Sequence, residues 1–383
     1  MAIQVSAVMP CLNEAATIEK CVHDALGFFA DAAIVGEVVV ADNGSTDGSR
    51  ELAAAAGARV VPVPRRGYGA ALMAGIEAAA GPIIVMADAD DSYDWRSMGP
   101  FVDGIRGGAD LVMGNRFKGG ILPGAMRPLH RYFGNPILSF IARVIFGAPI
   151  GDFHCGMRAF SRIAYERMRV RTPGMEFATE MVANSIRAGL RITEVPTVLR
   201  PDGRDRPPHL RSFRDGWRHL RFILSYAPDY LLLAPAIVAI AAGSLLVVAL
   251  AAGPLTIAGL YVGIHWLAIG AMLLLLGTSL LTFGIIGKLL IRRAHPAIES
   301  RLVDWILNSF HLEQGLGLGI ALFVLGLVVE IGVAVHFIAS GGAGADVTVH
   351  PAIAGAAVLV VGAQLCFAAF IVHLAAEEQR DDG

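Results

Sequence analysis

Short apolar runs separated by polar turns fill the first 200 or so residues of the chain. Ile3–Met9, Glu37–Ala41, Ala58–Val63, Pro82–Ala87 and Asp110–Met113 have the length and continuity of buried strands. Between them, Thr17–Phe29, Ser49–Ala56 and Gly69–Ala80 repeat apolar residues at helical spacing. This alternation predicts an α/β fold with a mostly parallel sheet and helices covering it. In such sheets ligands bind beyond the carboxyl ends of the strands. The polar clusters of this chain fall there: Asn13-Glu14 after the first run, Asp42 after the second, Asp88 and Asp90 after the fourth.

From Leu231 the pattern changes. Leu231–Ala252, Trp266–Ile291, Gly315–Ala339 and Pro351–Ala376 are apolar throughout, and each exceeds the roughly 20 residues that a bilayer-spanning helix needs. Gly253–His265 and Ser340–His350 hold no Lys or Arg, whereas the middle connection carries Arg292, Arg293 and Arg301. The positive-inside rule then puts the first domain, that middle connection and the C-terminus in the cytoplasm. Two further stretches are amphipathic. In His209–Leu224, Leu210, Phe213, Trp217, Leu220 and Leu224 share one helical face and Arg211, Arg214, Arg218 and Arg221 the adjacent one, a pattern suited to an anionic membrane surface. Leu302, Ile306 and Phe310 align in the same way. The expected organisation is a catalytic domain over 1–205, a juxtamembrane helix over 206–230, a transmembrane domain over 231–376 with an interfacial segment at 292–314, and a tail over 377–383.

Composition supports the division. Hydrophobic residues make up 55% of the 383 and charged residues 17%, oily for a soluble protein. All but Lys288, Arg292, Arg293, Arg301 and Arg380 of the 31 Lys and Arg lie in the first 230 residues. The net charge of −2 singles out no partner class, and no nucleic acid is expected. Cys11, Cys21, Cys155 and Cys366 show no metal-like or redox-like spacing and read as free thiols. The opening residues lack the basic and long apolar regions of a signal peptide.

Candidate chemistry centres on Asp88-Ala89-Asp90 at the end of an apolar strand. Two carboxylates one residue apart can hold a hard divalent cation, Mg or Mn, which also takes diphosphate oxygens. Around it stand Pro10-Cys11-Leu12-Asn13-Glu14, then Val38 to Asp47 with Asp42 closing its strand, and Arg65-Arg66-Gly67-Tyr68-Gly69-Ala70-Ala71 before a helix. Gly67 and Gly69 would let backbone approach a phosphate or sugar. Glu176 and Glu180 lie four apart on an expected helix, and Glu330 stands alone in an apolar run, with a partner expected in the bundle or at an oligomer interface.

These four motifs, in this order over residues 3–200, resemble family 2 glycosyltransferases with the GT-A fold. Asp152-Phe153-His154-Cys155-Gly156-Met157-Arg158-Ala159-Phe160, Gly114-Asn115-Arg116-Phe117 and the run Arg127 to Arg131 resemble the branch of dolichol-phosphate mannose synthases and dolichyl-phosphate glucosyltransferases. The Q-x-x-R-W motif of processive synthases is not found. The resemblance implies an inverting transfer of a hexose from UDP-glucose or GDP-mannose to a polyprenyl phosphate at the cytoplasmic membrane face. By the same resemblance, Pro10, Leu12, Asn13, Glu14, Asp42, Gly67, Gly69, Asp88, Ala89 and Asp90 would contact the nucleotide sugar. Leu12 stands where many relatives have Tyr, and Ser92 where mannose synthases have Gln. Asp88 and Asp90 would hold the metal. Asp90, Arg116, Arg131 and Asp152 would be catalytic, and Arg127, Arg131 and Arg204 would meet the acceptor phosphate. Arg206 is a second candidate in the basic loop of Arg204. Asp152 is the remaining acid near the acceptor, as a base or as an orienter of an Arg. The alternatives are a different glycolipid or polysaccharide acceptor, or an inactive membrane scaffold. A nucleotidyltransferase would need a Gly-rich basic loop after the first strand, which Pro10–Glu14 does not resemble. A homo-oligomer through the transmembrane helices is a further expectation.

Overall fold

A computed structural model describes residues 2–148, 150–204, 212–225, 227–294, 300–341 and 345–381. Arg206 and the start of the expected His209–Leu224 helix lie outside them. The chain forms two compact units, Met1–Ser225 and Tyr226–Gly383.

Among its described residues the first unit carries seven strands: β1 (Val5–Cys11), β2 (Gly36–Asp42), β3 (Arg59–Pro62), β4 (Ile83–Met86), β5 (Leu111–Asn115), β6 (Arg158–Ser161) and β7 (Ile192–Pro196). Their order across the sheet is β3-β2-β1-β4-β6-β5-β7. All neighbours are parallel except β6, which runs against both β4 and β5. The mostly parallel sheet expected from the apolar runs is therefore present. Alternate strand residues feed two cores, as a pleat requires: Val5, Ala7, Met9, Val38, Val40 and Val85 on one face, Val8, Val39, Ile84, Met86, Leu111 and Met113 on the other. The helix Ile18–Asp31 covers the first face by burying Ile18, Cys21, Val22, Ala25 and Phe29, an apolar stripe at helical spacing. Tyr68–Ala78 and Phe177–Arg187 cover the second with Leu72, Ile76, Phe177 and Met181.

Two strands escape the apolar-run reading. β6 opens on Arg158, which is fully buried. Its guanidinium donates to the carbonyls of Cys155, Ala178 and Phe153, so the charge is met by backbone dipoles. β7 carries Glu194 in its middle. Because β6 is antiparallel, its start lies beside the carboxyl end of β4, with Arg158 opposite Met86. The loop before β6 thus reaches the same sheet end as the loops after β1, β2, β4, β5 and β7.

Among its described residues the second unit holds four helices long and apolar enough to cross a membrane: Asp229–Leu250, Ile264–Arg293, Leu312–Ala339 and Val347–Glu377. Glycines let them approach closely. A Cβ on Gly243 would stand 2.5 Å from the backbone of Leu274, and one on Gly326 the same distance from Leu359. The connection after the first of these helices forms a small hairpin, β8 (Leu255–Ile257) and β9 (Leu260–Val262), turned by Ala258 and Gly259 at positive φ. Arg301–Ser309 is helical and buries Val303 and Ile306. Glu330 faces Gly355, and its buried Oε1 has no hydrogen-bond partner among the described residues.

Candidate functional site

The carboxyl ends of β1 and β2 are knitted together by side chains. Asn13 holds positive φ, which asparagine tolerates. Its N–H donates to Ser45 Oγ at 2.8 Å and its Oδ1 accepts from the Thr46 N–H at 2.8 Å. The Glu14 N–H donates to Ser49 Oγ. Asp42 accepts from the N–H groups of Gly44 and Ser45, closing its own turn, with Arg50 3.7 Å away. Asn43 reaches the next loop: its amide donates to the Val63 and Arg65 carbonyls and accepts from the Gly67 N–H. Pro10, Leu12, Asn13, Glu14 and Asp42 thus sit together on this edge.

Gly67 and Gly69 face a second stretch of backbone. What approaches them is protein. A Cβ on Gly67 would lie 2.2 Å from the Pro173 carbonyl oxygen, and one on Gly69 2.3 Å from that of Thr172. Glu180 shapes that same segment by accepting from the N–H groups of Arg171 and Thr172. The two glycines are needed because two backbones pack against each other there.

Beyond β4, the Asp88–Asp90 turn is pinned on several sides. The Thr17 hydroxyl donates to the Ala89 carbonyl at 2.7 Å, and the Gly203 N–H to that of Asp90 at 2.9 Å. Asp90 accepts from the Ser92 hydroxyl through one oxygen and faces Arg204 at 3.1 Å through the other. Arg204 also grips both oxygens of Glu14. The structure therefore places Arg204 with the acids on the expected donor side. Asp88 is hydrogen-bonded by the Tyr68 hydroxyl. Burial, and then the charge of Asp90, push the Asp88 carboxyl up to about 6 against the pull of Arg204 and Tyr68. Two crowded carboxylates with one shared guanidinium suit a divalent cation, whose charge would relieve their repulsion. Among the described residues no third His, Cys, Asp or Glu completes a protein-only metal cage. A hard cation held there would take its remaining positions from phosphate oxygens and water.

Opposite this turn lies a buried ion pair. Arg116, just after β5, donates to Asp152 through Nε at 2.6 Å and Nη2 at 2.7 Å, and its main-chain N–H adds a third bond. Burial alone would raise the Asp152 carboxyl; Arg116 overcomes this and holds it below the usual carboxylate range. With both oxygens so engaged, Asp152 orients Arg116. Glu194 anchors the arrangement by accepting from Asn115 Nδ2 and from the Gly151 and Asp152 N–H groups, while pairing with Lys118. Nothing in the apolar pattern pointed to Glu194; an acid inside a strand pattern was the one available signal.

Between acids and ion pair opens a cleft of about 300 Å³. Asp88, Asp90, Arg116, Arg127 and Arg204 line it, joined by Tyr93, His130, His154 and His219, which sequence reasoning did not single out. Arg131 is not among the lining residues; its guanidinium lies over the Tyr132 ring, 5.6 Å from the centroid. One wall is a helical stretch, His130–Gly134 continuing into Asn135–Phe146. His130, Asn135 and Leu138 face the cleft, while Phe133 (60% exposed), Ile137, Phe140 (58%) and Val144 face outward. Another wall is the helix Ser212–Ser225, which packs through buried Ile223, presents His219 to the cleft and leaves Trp217 exposed.

Comparison with known proteins gives two family matches: glycosyl transferase family 2 over residues 6–169, and the glycosyltransferase family 2 C-terminal transmembrane region over residues 285–376. A low-salt glycan biosynthesis hexosyltransferase of Haloferax volcanii is 38% identical over 368 residues, spanning 96% of this chain and 88% of that protein. A dolichyl-phosphate hexose transferase of the same organism is 34% identical over 164 residues, 43% of this chain and 70% of its own. The solved structure of glucosyl-3-phosphoglycerate synthase from Mycobacterium tuberculosis covers 58% of this chain and 78% of its own, at 27% identity and a TM-score of 0.45.

Proposed function

The chain belongs to glycosyltransferase family 2, and from that premise we propose that it moves a hexose from a nucleotide sugar to a polyprenyl phosphate held in a membrane. The observation that carries the acceptor class is the wall helix Asn135–Phe146. It turns Asn135 and Leu138 to the cleft and leaves Ile137, Phe140 and Val144 exposed on its outward side. Arg143 lies over Phe140 and Arg131 over Tyr132, so cations border that face. An apolar face edged by guanidinium groups suits a bilayer surface. A phosphate on a lipid embedded there would enter the cleft from this side. Support also comes from the name of the dolichyl-phosphate relative.

In this reading Asp88 and Asp90 would hold a divalent cation, which would supply Lewis-acid charge at the diphosphate. Arg204 shares that end, and Arg116 and Arg127 receive the acceptor phosphate; Arg131 lies outside the cleft and serves the membrane face. A phosphate monoester has its second pKa near about 6, so the attacking oxygen is already ionised at neutral pH. That oxygen bonds to the anomeric carbon as the bond from carbon to diphosphate oxygen breaks, and the nucleoside diphosphate leaves with the electron pair. No proton has to be removed from the nucleophile, so Asp152 is free to hold Arg116. Catalysis rests on positioning and charge. The Lys and Arg distribution supports a cytoplasmic placement of this unit and of both termini.

The test is a donor and acceptor panel: full-length protein in nanodiscs, polyprenyl phosphate, Mg or Mn, and UDP-glucose against GDP-mannose. Formation of a hexosyl phosphopolyprenol supports the proposal. Transfer that ignores polyprenyl phosphate but uses another acceptor overturns it. A second measurement bears on the wall helix. Phe133→Asp with Phe140→Asp should raise KM for the lipid acceptor about tenfold or more, since burial of such rings is lost, and leave KM for the donor unchanged. An unchanged acceptor KM would remove this helix from the lipid path.

A further inference from the structure

We propose that His154 reads the sugar being transferred, by a hydrogen bond from its Nε2 to one hexose hydroxyl. The inference rests on the nucleotide-sugar reading above and assigns a specificity-determining residue within it.

Four observations converge. The first is position. Gly156 is pressed against the acid end of the cleft: a Cβ there would lie 2.9 Å from Asp88 Oδ2 and 3.1 Å from the Tyr93 ring. Two residues earlier, the His154 N–H donates to Asp152 Oδ1, the oxygen that also receives Arg116 Nη2. His154 therefore stands between the end that takes diphosphate and the end that takes acceptor phosphate, where the transferred group must lie. The second is an open valence. His154 lines the cleft, yet its buried Nε2 has no hydrogen-bond partner among the described residues, and buried polar atoms in folded proteins are nearly always paired.

The third is orientation. The His154 ring meets His219 edge to face, with centroids 5.0 Å apart at 67°. His219 is itself held at 2.9 Å by the Thr179 hydroxyl. The ring direction is thus set before any ligand arrives. The fourth is charge. Burial first, then His219, pull the His154 pKa down to about 3, so the imidazole is neutral in the working range. The arginines beside it already provide for phosphate. A neutral imidazole carries one donor and one acceptor nitrogen, which complements a hydroxyl.

The experiment compares binding of free nucleoside diphosphates, UDP and GDP, with the matching nucleotide hexoses and their monodeoxy analogues, using the full-length protein in nanodiscs. His154→Ala should weaken nucleotide hexose binding about tenfold, the worth of one well-placed hydrogen bond, and leave nucleoside diphosphate binding unchanged. Removing one particular hydroxyl from the sugar should cost wild type a similar factor and cost the variant nothing more. His154→Gln, which keeps a donor and an acceptor on a longer stem, should recover part of the loss. Equal weakening of diphosphate and nucleotide hexose, or an unaltered deoxy-sugar profile, overturns the proposal. So does a variant that loses only lipid-acceptor affinity, which would place His154 on the phosphate. If wild type binds neither nucleoside diphosphate, the nucleotide-sugar reading itself fails and the assignment falls with it.

Discussion

Asp90→Asn should lower turnover by about 10²–10³-fold or more, the range seen when charge stabilisation at a reacting group is removed. The substitution keeps size and a bond with Ser92, so the turn should remain folded. It removes the charge that faces Arg204 and would bind a cation. Thermal unfolding of the variant should stay near wild type while titration with Mg or Mn loses its response. Turnover within a few-fold of wild type would take Asp90 out of the metal site. Asp88→Asn should be comparably inactive, but with a gain in stability. A carboxyl raised to about 6 prefers its protonated form in the folded state. Its stabilising contribution is full below the unfolded value, about 3.9, and is lost as pH rises through about 6. At pH 7 without cation, Asp88→Asn should therefore be the more stable protein. Cation affinity of wild type should fall as pH drops through about 6, because proton and metal compete for Asp88. A flat affinity across that interval would contradict the crowding of the two acids.

The second large effect is on stability. Asp152→Ala leaves the Arg116 guanidinium buried without its partner, and breaking one side of a buried pair costs about 3–5 kcal/mol. Both side chains are nearly solvent-free, so little screening softens the loss. Denaturant unfolding of the first unit should show it, along with lost transfer activity. Asp152→Asn should cost less, because hydrogen bonds to Arg116 can persist. The pH sign is the reverse of that at Asp88. The Asp152 carboxyl is held low, so its contribution is full above the unfolded value and vanishes only as pH falls through the depressed folded one. A wild-type stability that began to fall already near pH 6 would need another source.

Much of this was legible in the residues. β1, β2 and β4 are mostly apolar runs that lead into Glu14, Asp42 and Asp88, so strand, terminus and candidate chemistry could be read together. The four long helices were equally plain from length and hydropathy. β6 and β7 were not, because Arg158 and Glu194 are polar residues whose partners are distant in sequence, and periodicity carries no trace of such partners. Gly67 and Gly69 announced a close approach without saying to what; the answer is the backbone at Thr172 and Pro173. Arg127 to Arg131 drew attention as a basic run, and that hid the amphipathic helix following it, whose Phe133, Ile137 and Phe140 recur at helical spacing. Arg204 could be flagged as basic, but only folding shows that its loop returns over the Asp88–Asp90 turn.

The reversed strand β6 has a consequence for how such a protein can change its taste. The chain leaves the sheet end after β5 at Arg116 and re-enters it at Arg158. Everything in between, with Arg127, His130, the outward apolar helix, Asp152 and His154, is one uninterrupted excursion. The Asp88–Asp90 turn and the Asn13 and Asp42 loops lie wholly outside it. A single contiguous segment could thus be exchanged between relatives like a cassette; in the proposed reading this would retune the acceptor and, through His154, the sugar, while the residues proposed for the nucleotide stay in place.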